Sequence, residues 1–128
     1  MRLLLIFSII LIASGCKSDK VLELDKIEGF PTKMIGCSCY YAVSEEDFAA
    51  QKFIYLDKYG EAPGMINVAG DLIAVDPENK DSKNYQIQIE VEKEVQLDQE
   101  LFHKEGVLTV TAPDGAVFTT PIYGECGC

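Results

Sequence analysis

Cys37 and Cys39 stand one residue apart, as do Cys126 and Cys128, and these four sulfurs are the chain's best candidates for chemistry. Residues i and i+2 of a β-strand share a face, so each pair presents two sulfurs side by side if its segment is extended. A bridge within a pair needs a tight ring, whereas bridges between pairs suit ordinary disulfide geometry. Antiparallel terminal strands would join Cys37 to Cys128 and Cys39 to Cys126. Parallel strands would exchange the partners, and bridging within each pair is the third arrangement. A Cys37–Cys128 bridge closes nearly the whole domain, worth about 4–5 kcal/mol as loop entropy; the second then closes a ring of roughly six residues and adds about 2 kcal/mol.

Two other chemistries suit four sulfurs. Thiolates ligate zinc and Cu(I), which makes Cys37, Cys39, Cys126 and Cys128 an alternative metal set, although zinc pairs are usually spaced Cys-x₂₋₄-Cys. Thiol–disulfide exchange needs a thiol pKa lowered by a cation or a helix N-terminus. Here Glu125 adjoins Cys126 and pushes the other way. Disulfides are the favoured reading, because the leader described next directs the chain to an oxidising compartment.

Arg2, the apolar run Leu3–Ile12 and the small residues Ala13-Ser14-Gly15 have the form of a signal peptide. Ten residues are too few to span a bilayer, which takes about 20. Cys16 follows at once. Small residues ending in Gly and then Cys resemble the lipobox of bacterial lipoproteins, with Ala13 where Leu is usual. The resemblance implies cleavage before Cys16, a thioether diacylglycerol on its sulfur and an added N-acyl chain such as palmitate. Two or more chains anchor stably where one does not. The expected organisation is a signal peptide at 1–15, a lipidated cysteine and tether at 16–34, whose weak alternation at Val21, Leu22, Leu24 and Ile27 allows a first edge strand, and one β-domain at 35–128. About 18 residues of flexible tether would set that domain roughly 25 Å from the membrane.

Twenty-one acidic residues against 11 basic give a formal net charge of −10. Such a surface repels nucleic acid and anionic headgroups and favours a basic protein partner. The expected state is a monomer without a cofactor.

The elements that must position the cysteines read as strands. Tyr85, Ile87, Ile89, Val91, Val95 and Leu97 alternate with Gln86, Gln88, Glu90, Glu92 and Glu94, which predicts an antiparallel sheet with one buried face. Met65–Val68 and Leu72–Val75 flank Ala69-Gly70-Asp71, and Val107–Ala112 and Ala116–Tyr123 flank Pro113-Asp114-Gly115; both are hairpin signals. Cys37–Val43 and Lys52–Leu56 add strands, Ser44-Glu45-Glu46-Asp47 has capping-box form for one helical turn, and Pro121 suggests an edge or bulge. The fold class is all-β: a small antiparallel barrel or sandwich of about seven to eight strands, stapled by disulfides.

Other chemistry is sparse. His103 is the only histidine and reads as a solvated loop residue. Glu90, Glu92 and Glu94 read as one solvated strand face, and Tyr40, Tyr41, Tyr55 and Tyr59 as packing aromatics. No phosphate loop, nucleophile elbow or His-Glu helix motif is present, so an enzyme is not expected.

The combination of the lipobox, Gly36-Cys37-Ser38-Cys39-Tyr40-Tyr41, the Ala69-Gly70-Asp71 hairpin and Gly124-Glu125-Cys126-Gly127-Cys128 resembles small uncharacterised lipoproteins of Bacteroidetes-type bacteria. A looser likeness is to membrane-bound c-type lysozyme inhibitors, small disulfide-bonded β-barrel lipoproteins. It implies an inhibitory loop at Ser82, Lys83 and Tyr85, with Lys83 standing where that family has Gly. The sequence thus points to a lipoprotein of a bacterial envelope membrane, outer rather than inner, acting as a binding or structural module. A c-type lysozyme inhibitor and a four-cysteine zinc or copper carrier are the alternatives.

Overall fold

The computed structural model describes residues 20–128, so the leader and Cys16 lie outside the described residues. Nine strands follow along the described chain: β1 (Ile27–Glu28), β2 (Ser38–Ala42), β3 (Lys52–Phe53), β4 (Tyr55–Lys58), β5 (Glu61–Val68), β6 (Asp71–Val75), β7 (Gln86–Asp98), β8 (Leu101–Thr111) and β9 (Val117–Gly127). Seven form one antiparallel sheet in the order β6-β5-β4-β2-β9-β8-β7, and β1 pairs with β3 beside it. Both β6 and β7 are edges, so the sheet curls over its core as a sandwich without closing into a barrel. The all-β, antiparallel, disulfide-stapled class expected from the alternation is what the chain adopts.

The curl gives two cores. Leu108 and Val110 of β8, Ile122 and Cys126 of β9, Tyr55 of β4 and Ile66 of β5 pack on the inner face. Ile27, Met34, Phe53, Leu56 and Met65 pack on the outer face under Tyr40 and Phe48. Strand β2 is therefore covered on both sides: Cys39 and Tyr41 face inward, Tyr40 outward. A single-turn helix, α1 (Glu45–Ala49), brings Phe48 over Tyr40, and the Ser44 hydroxyl accepts from the Asp47 amide as the capping pattern requires.

Four local readings are corrected. Residues 20–34 are not free tether. Leu22, Leu24, Ile27 and Met34 are buried, and the segment is stitched to β9 by Leu22 N–H to Val117 O and to β5 by Asp25 N–H to Asn67 O. This strap joins the start of β9 to the end of β5, and its Leu22 and Leu24 complete the inner core. Second, Lys52–Leu56 is two strands, β3 and β4, serving different sheets on either side of Ile54. Third, β9 is interior, between β2 and β8; Pro121 falls beyond the β2 pairing, where β9 has a neighbour on one side only.

The fourth correction concerns β7. Its register against β8 shifts between Val91 and Lys93, leaving Glu92 as an extra residue. Alternation reverses there. Ile87, Ile89 and Val91 face inward, whereas Val95 lies opposite His103 on the outer face and Glu94 faces inward opposite Lys104. Glu90, Glu92 and Glu94 therefore do not share a face. His103 sits in β8 rather than a loop, its side chain only 12% exposed, 4.4 Å from the Tyr123 ring and 3.1 Å from Glu105. That contact and nearby Lys93 hold the exposed Glu105 carboxyl below the ordinary range.

Candidate functional site

The terminal cysteines meet because β2 and β9 run antiparallel and in register. Cys39 lies directly opposite Cys126 and is bonded to it, with Cα atoms 4.0 Å apart. Cys37 and Cys128 bond just beyond the last paired residues, with Cα atoms 3.9 Å apart. Cys39 and Cys126 are buried, whereas Cys37 and Cys128 are exposed. With all four sulfurs bonded to one another, none is a thiolate available to a metal or for exchange. Among the described residues, no cluster of three or more His, Cys, Asp or Glu side chains is placed to hold a metal.

The ladder continues across the inner face. One row runs Asp57, Cys39, Cys126, Phe102, Gln96; the next runs Tyr55, Tyr41, Gly124, Lys104, Glu94. The Tyr41 ring covers the bare Gly124, and its hydroxyl lies 3.4 Å from the Cys126 sulfur. Asp57 is 3% exposed, accepting from the Tyr55 hydroxyl at 3.0 Å and the Gly60 amide at 2.8 Å. Burial raises its pKa, and those two donors offset part of the rise. Burial, with the carboxylate nearby, also raises the pKa of Tyr41 and Tyr55, so both phenols stay protonated at neutral pH. On the outer face, burial and a hydrogen bond to Glu125 push Tyr40 up to about 12.

Two cavities mark the seam where the curled sheet fails to close. One of about 210 Å³ is lined by Cys39, Tyr41, Asp57 and Tyr59 on one side and by Val91 and Lys104 on the other. The second, about 490 Å³, lies between Ala62, Pro63, Ile73 and Val75 of β5–β6 and Lys83 and Tyr85 before β7. A third, about 710 Å³, opens between the strap and the tip of the β8–β9 hairpin. Lys83 and Tyr85 thus border a cavity, whereas Ser82 is exposed beside it and lines none of the three.

Asp57 is engaged in fixing the β4–β5 turn, and His103 is on the opposite face. The spacing of the Cys-x-Cys pairs made the staple findable from sequence. The seam was not, because it forms between β7 and β4–β6, elements whose mutual approach no local pattern encodes. Comparison with protein-family models, with curated proteins and with solved structures gives no match.

Proposed function

We propose that this chain is a lipid-anchored, non-enzymatic binding module of a bacterial cell envelope. The observation that carries the reading is the concave seam between β7 and β4–β6. The strap engages β9 from Lys20 onward, four residues after Cys16, so no more than about 14 Å of chain separates the acylation site from the domain. A short link of this kind holds a domain close to its membrane. Bonded sulfurs agree with an oxidising compartment, and the seam supplies a concave, partly apolar surface for a partner. Acidic side chains outnumber basic ones by 21 to 11, which favours a basic partner.

Fractionation tests the reading. Wild-type protein should sediment with membranes and incorporate labelled palmitate, and Cys16→Ser should do neither. Equal labelling of the two proteins would exclude lipidation at Cys16.

A further inference from the structure

We propose that the seam accepts an extended, basic segment of a protein partner as an added strand on the free edge of β7, an inference that rests on the binding-module reading. Among the described residues, β7 bonds to β8 on one side and to no strand on the other. A free edge offers unpaired amides and carbonyls at a fixed repeat, and an extended segment satisfies them with main-chain bonds.

The usable edge is short and well defined. It runs from Gln86 to Val91, roughly 17–20 Å at strand spacing, and stops at the register shift before Lys93. Beyond that point the edge is guarded by the bulge and by charged side chains, the devices that block unwanted pairing. Before it there is no lysine, no proline and no bulge. The cavities of about 490 and 210 Å³ border the two ends of this stretch, at Tyr85 and at Ile89–Val91, with β5–β6 and the Tyr59–Gly60 turn forming the far wall.

Side-chain preference follows from the faces. Val91 points inward yet is 42% exposed, as is Tyr59 across the gap. A strand laid on β7 would turn alternate residues into that gap, where apolar groups cover Val91 and Tyr59. Its other residues would lie beside Gln86, Gln88 and Glu90 on the outer face, where a Lys or Arg would meet the Glu90 carboxylate. A second copy of this chain would bring one net charge of −10 against another.

The test uses the full lipoprotein purified from membranes in detergent and a synthetic peptide, acetyl-Lys-Val-Lys-Val-Lys-Val-Lys-amide. Two further peptides carry N-methyl groups along one backbone edge or the other. Binding of the parent should slow hydrogen exchange at least tenfold at alternate amides of residues 86–91. Methylation of one edge should abolish binding while methylation of the other leaves it, and Val91→Lys should weaken it at least tenfold. Equal binding by both methylated peptides would show charge attraction alone and overturn the proposal. Protection confined to another surface would overturn strand addition too, while leaving a binding module in place. Self-association through β7 without peptide would overturn the basic-partner assignment.

Discussion

Gly106 lies directly opposite Val91 across the β7–β8 ladder, so close that a Cβ on Gly106 would fall on the carbonyl of Glu90. The bare Cα lets the bulged strand bend onto β8, and the bend moves Lys93 through Gln96 to the other face, until a second shift before Asp98. Gly106→Ala should therefore cost about 2–3 kcal/mol, the upper part of the range for forcing a methyl into packed structure. Urea midpoints would measure it; a loss under about 0.5 kcal/mol would mean that the bulge does not depend on this contact.

The two disulfides close nearly the same loop, with sequence separations of 91 and 87. Either alone keeps the ends together. Replacing Cys37 and Cys128 by Ala should cost only about 1–2 kcal/mol, and replacing the buried Cys39 and Cys126 somewhat more, because packed volume is lost. Removing all four should cost more than the two losses added, since only then are the ends freed. Simple additivity in denaturant unfolding would contradict this coupling.

Asp57 sets a pH dependence. Burial raises its folded-state pKa above the unfolded 3.8, so the folded chain holds this proton more tightly. Its contribution to stability is fully present below the unfolded pKa and is lost as pH rises through the folded pKa. Asp57→Asn keeps an acceptor for the Gly60 amide without titrating. Its stability relative to wild type should rise as pH climbs from about 3.5 towards neutrality, and a pH-independent difference would place the buried charge elsewhere.

Much of this fold is legible in the chain. The Ala69-Gly70 turn, with φ of 53° and 86°, is what two strands flanking Ala-Gly-Asp suggest, and Ile87, Ile89 and Val91 do face the core. Reading fails where a distant residue decides. The bulge that sends Val95 outward depends on Gly106, on the next strand. The strap shows the weak alternation of Leu22 and Leu24, but only the open sandwich makes it core rather than tether. The seam has no local sequence signal, since it is a gap between edges rather than a motif.

Lysozyme inhibition is open to direct trial. A chain of formal net charge −10 attracts a basic protein without specificity, and exposed attraction fades as the Debye length falls below about 8 Å above 0.15 M salt. Association with c-type lysozyme should weaken steeply between about 0.15 M and about 0.5 M salt. Ser82→Ala/Lys83→Ala should change it little. Salt-resistant inhibition lost in that variant would establish the inhibitor reading instead.

The most direct test of the anchored module is the intact mass and N-terminal fragmentation of protein extracted from membranes. Lipidation predicts a chain beginning at Cys16 whose sulfur carries a diacylglycerol thioether and whose amino group is acylated. It also predicts no free thiol at Cys37, Cys39, Cys126 or Cys128. A chain cleaved elsewhere, or one with an unmodified Cys16, would contradict it.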